Sequence, residues 1–285
     1  MGETDTSPLG ATALRVAVRR AAHQLIDRPL VFEDPLAVRI IGAREAEKLR
    51  SRIGGRERDW NNSLRAWIAA RSRYAEDQLE IAVAGGIRQY VVLGAGLDTF
   101  AYRNPYPALK IWEVDLPAAQ EAKRRMLHDA AIDVPATVTY VASDFERTDL
   151  AELLETAGLE TGAFVSWLGV TPFLSREAFQ RTMASLERFA AQIVFDYAAT
   201  PEALDEQDRF AFDLLSRRVG KAGEPYRLSF PPAASFEGFT TVEDLGKAEI
   251  NRRYFAGRTD GLQVRFTPSR LASCVPARKC DSRVS

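Results

Sequence analysis

The rhythm of hydrophobic and polar positions changes twice along the chain. Through residues 11–84 apolar positions recur at spacings of three and four. Leu64, Trp67, Ile68, Ala75 and Leu79, with Arg71 among them, share one helical face. Gly85-Gly86 stops that helix. The segment Asp27–Pro35 carries two prolines and predicts an extended or turning link between the front helices. Residues 44–59 are rich in both charges and contain Gly54-Gly55. They read either as a solvated helix and turn or as a cover over a site.

From Arg88 onward, short β-rich runs alternate with amphipathic ones. Strands are predicted at Gln89–Leu93, Lys110–Val114, Thr137–Ala142, Ala163–Trp167 and Gln192–Tyr197. Pro117 suits the first turn of a helix, and Ser175 suits the cap of another that runs to about residue 190. The strands are almost continuously apolar, which predicts burial on both faces of a parallel sheet wrapped by helices. Ligands on such sheets bind at the carboxyl ends of the strands. Those ends hold a Gly, an Asp or a polar turn here. The pattern divides the chain into a helical cover (1–84), an alternating core (85–270) and a polar tail (271–285) expected to be loosely ordered.

The strongest chemical signal is VVLGAGLDTFAYR, Val91 to Arg103. Gly94-Ala95-Gly96 after a strand lets the backbone turn tightly and approach a ligand. A dinucleotide fingerprint needs a third glycine at position 99, which is Thr99. The loop therefore suits a nucleotide-like ligand without the full pyrophosphate cradle, or is simply a tight strand-to-helix turn. Asp115 ends the second strand, 21 residues after Gly94, where an acid accepts ribose hydroxyls; it also suits the cap before Pro117. Asp144 and Phe145 follow the third strand, where an acid beside a ring fits a purine, or where Asp144 is only a turn residue. Asp196 and Tyr197 end the fifth strand and are candidate bases. Phe173, Arg253, Tyr254 and Arg258 are candidates to face a substrate, with structural pairing as the alternative for the last three. His23 and His128 are isolated and read as packing or surface residues.

Composition narrows the classes. The chain has 285 residues, 46% hydrophobic and 27% charged, enough apolar surface to fold one large domain. Lys+Arg is 38 and Asp+Glu is 39, a net charge of −1, so no global basic field holds nucleic acid or an anionic membrane. There is no long apolar run for a bilayer span and no apolar leader at the start. Two cysteines near the end predict free thiols in the cytoplasm, and no His/Cys cluster has metal spacing. Nothing in the pattern fixes an oligomeric state.

GAGLDTFAYR, WEVDLP, SDFE and FVSWLGVTPFLS together resemble the leucine carboxyl methyltransferase family, over about residues 12–270. The resemblance implies a Rossmann-like class I methyltransferase: a mostly parallel seven-stranded sheet with helices on both faces, binding S-adenosylmethionine. It implies that Gly94, Ala95 and Gly96 face the methionine portion of that cofactor. Asp115 with Leu116 takes the ribose, Asp144 with Phe145 takes the adenine, and Ser166 lies near the amino group. Arg71, in AARSRYAED, matches the arginine that grips the cofactor carboxylate, with Arg73 second. One departure stands out. Members that act on protein C-termini usually carry an acid near Leu168, and this chain has Ser166-Trp167-Leu168-Gly169-Val170. The expected acceptor is therefore a carboxylate or hydroxyl of a small molecule, such as a secondary metabolite. A carboxylate is already ionised at neutral pH and needs no base, whereas a phenol would use one. The helical front, Phe32–Pro35 included, is expected to exclude water from the site. The alternatives are a non-catalytic S-adenosylmethionine-binding protein or an NAD-dependent dehydrogenase. An Asn/Asp-Pro-Pro-Tyr-like loop, as in nucleic-acid methyltransferases, is absent after the fourth strand.

Overall fold

The computed structural model describes residues 11–51, 59–221, 223 and 225–277; the half of the charged segment beyond Ser51, up to Arg58, and Cys280 lie outside them. Helices α1 (Ala11–Ile26), α2 (Ala37–Ile40), α3 (Gly42–Arg50) and α4 (Asp59–Ala84) form the front of the chain. The core then runs β1 (Gln89–Leu93), β2 (Lys110–Asp115), α5 (Pro117–Asp129), β3 (Val138–Ala142), α6 (Leu150–Thr156), β4 (Ala163–Trp167), α7 (Arg176–Leu186), β5 (Ala190–Ala198), α8 (Glu206–Lys221), β6 (Phe239–Leu245), α9 (Lys247–Tyr254) and β7 (Ser269–Pro276). Pro117 opens α5, and the Ser175 hydroxyl caps α7 by accepting the Ala178 N–H.

The sheet order is β3-β2-β1-β4-β5-β7-β6, parallel through β5 and antiparallel at β7 and β6. Parallel register brings the carboxyl tips level: Leu93 lies beside Val114 and Trp167, and Asp115 beside Ala142. Alternation along each strand feeds two cores. Val91, Leu93, Val165, Trp167, Phe195 and Tyr197 pack on one face with α6 and α7. Tyr90, Val92, Phe164 and Val194 pack on the other with α4 and α9. A third cluster joins α1, α2 and α3 to α5 and Leu97. No helix among the described residues is long and apolar enough to cross a membrane.

Two expectations need correction. Residues 271–276 are no loose tail: Leu271, Ala272, Ser273 and Cys274 are fully buried in β7, hydrogen-bonded to β5 on one side and β6 on the other. Burial pushes the Cys274 thiol up to about 11. And β1 does not run into a helix. It leads into a loop and the 3₁₀ turn Phe100–Tyr102, so no α-helix follows directly on the Gly94–Gly96 loop. The helix-dipole cradle that a dinucleotide pyrophosphate would use is missing there.

Candidate active site

A cavity of about 380 Å³ opens at the level strand tips, a size typical of small-ligand sites. Arg71, Gly94, Ala95, Gly96, Asp115, Leu116, Asp144, Phe145, Ser166 and Phe173 all line it, so the structure brings these sequence-singled residues together. Gly94 adopts φ +64, and a Cβ there would fall 2.2 Å from Val170 Cγ2; only glycine fits. Gly96, at φ +43, donates its N–H to Asp115 at 2.6 Å. The other Asp115 oxygen accepts the Leu116 N–H at 2.7 Å. Burial pushes the Asp115 carboxyl above the usual range, against the pull of these two N–H groups. Glu113, two residues earlier on the strand, goes elsewhere. It is sealed in a pair with Lys123 at 2.8 Å and accepts the Tyr102 hydroxyl. Asp144 accepts the Glu146 N–H, and the Phe145 ring tilts against Trp167. The Ser166 hydroxyl meets that of Tyr90 at 2.8 Å.

Alternation along β5 separates the two proposed bases. Asp196 points to the α4 side, where the Arg71 guanidinium donates to it at 2.8 Å and the Gly169 N–H at 2.5 Å. Tyr197 points to the opposite face, into an aromatic cluster with Phe195, Phe230 and Phe236, its hydroxyl donating to Asp244. It lines neither this cavity nor the second one described below, so its assignment as a base is corrected. Two substrate candidates are corrected likewise. Tyr254 donates to Asp77 of α4, and Arg258 is paired with Asp260 while donating to the Pro29 carbonyl; both fasten elements away from the cavities. Arg73, the second choice for a carboxylate grip, pairs with Asp77 on the surface.

Several lining residues had no motif to announce them. Thr12, Ala13, Val16, Ala17 and Arg20 of α1 form a lid wall, legible only as helical i, i+4 spacing. Arg20 is 5% exposed. It donates to Asp34 at 2.5 Å, to Asp98 at 3.1 Å and to Thr99 at 3.1 Å. Burial pulls its guanidinium down, but Asp34 and Asp98 lift it above its ordinary value. Thr99 also donates to Asp34, and Arg103 pairs with Glu76. The residues LDTFAYR are thus a bracket that ties the front helices to the loop after β1. Phe32 lies under Arg20 and Arg103 as a cation–π partner, and no residue from Phe32 to Pro35 lines the cavity. Residues of α1, rather than that segment, line the cavity. His23 is fully buried: its Nδ1 meets Asp27 at 2.7 Å, and its Nε2 accepts the Val31 and Phe32 N–H groups. That is a structural hub.

A second cavity, about 480 Å³, lies alongside. Thr12, Val16, Arg71, Gly169 and Phe173 line both. Asp196 and Tyr226 line only the second. Tyr226 packs edge-on against Phe173, and burial holds its hydroxyl well above the usual phenol range.

Comparison with known proteins gives the family. The model of the leucine carboxyl methyltransferase family matches residues 13–187, more than half of the chain. A protein of Bacillus subtilis named "putative S-adenosyl-L-methionine-dependent methyltransferase YktD" is 29% identical over 284 residues, spanning 89% of this chain and 93% of that one. A Mycolicibacterium paratuberculosis protein named "putative S-adenosyl-L-methionine-dependent methyltransferase" is 37% identical over 177 residues, 60% of this chain and 58% of that one. Among solved structures, a "putative methyltransferase" from Thermobifida fusca superposes with a TM-score of 0.54 at 13% identity, covering 92% of this chain and 94% of that one. The chain belongs to the leucine carboxyl methyltransferase family.

Proposed function

We propose that this chain, an S-adenosylmethionine-dependent methyltransferase, holds its donor in the first cavity and methylates a carboxylate or hydroxyl oxygen of a small molecule, a secondary metabolite, held in the second. The observation that carries this reading is the common wall of Thr12, Val16, Arg71, Gly169 and Phe173. Two ligands filling these cavities meet only there, which supplies the close, oriented approach that group transfer needs.

The donor set of the first cavity fits the molecule. A cation at one end suits a carboxylate, two acids at strand tips suit hydroxyl and amino donors, and a ring suits a base. Bound there, S-adenosylmethionine supplies a methyl group on a cationic sulfur. Arg71 grips the amino-acid carboxylate with the N–H groups that Asp196 does not use, as a guanidinium fork allows. Asp115, fixed by the Gly96 and Leu116 amides, keeps lone pairs for ribose hydroxyls. Asp144 and Phe145 take the adenine, and the Gly94–Gly96 backbone passes close beneath. Ser166 stands by the amino group. Asp196 is a positioning residue: with both oxygens engaged, it holds Arg71 and Gly169 in the shared wall. A carboxylate acceptor reaches this wall already ionised and requires no base.

Calorimetry of the purified chain with S-adenosylhomocysteine, followed by transfer of labelled methyl into a cytoplasmic metabolite extract, tests the reading. One-to-one uptake and label in the small-molecule fraction are expected. No uptake overturns it, and label confined to nucleic acid overturns the small-molecule acceptor.

A further inference from the structure

The second cavity carries a charge pattern that methyl transfer alone does not explain. Its floor is apolar: Leu64, Trp67 and Ile68 come from α4, Leu215 and Val219 from α8. Around it stand Arg15 of α1 and Arg218 and Lys221 of α8. All three are exposed, and none pairs with a carboxylate among the described residues. Arg218 lies over the Trp60 ring at 5.5 Å, a contact with a ring face that leaves its N–H donors open. The single acid lining the cavity among the described residues, Asp196, is already taken by Arg71 and Gly169. Cations clustered over low-dielectric walls focus their field into the cavity. Two helices far apart in sequence, α1 and α8, converge to place them there.

Their location separates two tasks. Arg15, Arg218 and Lys221 line the second cavity and not the first. Arg71, Gly169 and Phe173 line both. The oxygen that receives the methyl group must lie at the common wall, so these cations address a different part of the acceptor.

We propose that the acceptor is an amphipathic anion: an apolar body lies on the Leu64–Trp67–Val219 floor, and an anionic group, carboxylate or phosphate, is held by Arg15, Arg218 and Lys221, apart from the methylated oxygen. This rests on the donor reading given above. The anionic group needs no transformation; it orients the body so that the reactive oxygen faces Arg71 and Gly169.

The test is calorimetry of the full chain, alone and saturated with S-adenosylhomocysteine, with octanoate, octyl phosphate and 1-octanol. Both anions are expected to bind on the order of tenfold more tightly than the alcohol, as charge-assisted contacts would give. The tighter of the two identifies the anionic group. Added salt weakens the anions and spares the alcohol. The exposed double variant Arg15→Glu/Arg218→Glu loses the preference for anions and keeps its S-adenosylhomocysteine affinity. Octanol binding as tightly as both anions, or a preference that survives the double variant, overturns the inference alone. Absence of S-adenosylhomocysteine uptake overturns the donor reading, and the acceptor role with it.

Discussion

Gly94 shows how much one missing methyl group decides. Its φ of +64 and the 2.2 Å approach of Val170 to the site of a Cβ impose two separate costs. The left-handed backbone costs an L-residue roughly 1–2 kcal/mol, and overpacking costs about 1–3 kcal/mol more. Gly94→Ala is therefore expected to lower thermal stability and weaken S-adenosylhomocysteine binding. Adding Val170→Ala relieves the crowding, because Val170 Cβ itself is 3.5 Å away, but not the backbone strain. The double variant should recover part of the loss by thermal melting. Asp115 carries a pH prediction. In the proposed donor site its ionised form would accept ribose hydroxyls, and burial holds its carboxyl above the ordinary range. Acidification should weaken S-adenosylhomocysteine binding from a higher pH than an ordinary aspartate would, and Asp115→Asn should flatten that dependence in a calorimetric pH series.

Among the elements, β7 contributes most to closing the sheet. It lies between β5 and β6, and its Leu271, Ala272, Ser273 and Cys274 are completely enclosed. Truncation after Arg270 should remove cooperative unfolding, which circular dichroism reads out. Cys274 should resist alkylation until the protein unfolds, since a thiol raised to about 11 and enclosed by β5 and β6 presents almost no thiolate. Peptide mapping after iodoacetamide reads this out. On the other side of the sheet, α5 is fixed to β2 by the enclosed Lys123–Glu113 pair. Burial pushes the Glu113 carboxyl up despite Lys123, so the pair does little for net stability. Lys123→Met alone should cost about 3–5 kcal/mol because it strands a buried acid. The double variant Glu113→Leu/Lys123→Met should restore much of that in urea denaturation.

For the molecule as a whole, the front helices and the sheet fold as one body through two buried polar clusters. Arg20, Asp34, Thr99 and Arg103 fasten α1 over the first cavity. His23, Asp27 and Arg65 fasten α1 to α4. Burial alone would raise the Asp27 carboxyl, but hydrogen bonds from His23 and Arg65 bring it below its ordinary value. Its stabilisation is therefore complete above the unfolded aspartate range and is lost as pH falls through the lowered value. Asp27→Asn should melt at a lower temperature at neutral pH and lose less on acidification than the parent. Arg20→Met should loosen α1, seen as faster proteolysis before Leu30 and weaker S-adenosylhomocysteine binding by calorimetry.

Local pattern by itself determined β1 to β5, the starts of α5 and α7 and the tips at Gly94, Asp115 and Asp144, because period and punctuation are set by neighbours a few residues apart. The family motifs determined the fold class for the same reason: they are runs of adjacent residues. Only the tertiary structure decided which of those residues meet. Arg71 and Asp196 are 125 positions apart, and they pair because α4 covers the face that alternate β5 side chains reach; Tyr197 is turned away by that same alternation. The segment 269–276 is apolar at Leu271, Ala272, Cys274 and Val275 but lacks the alternation and the β-branched run of a typical strand, and becomes one because β5 offers it an open edge beside β6. The cation cluster of the second cavity exists only once α1 and α8 converge, since a charge gains its meaning from what the chain brings near it in space.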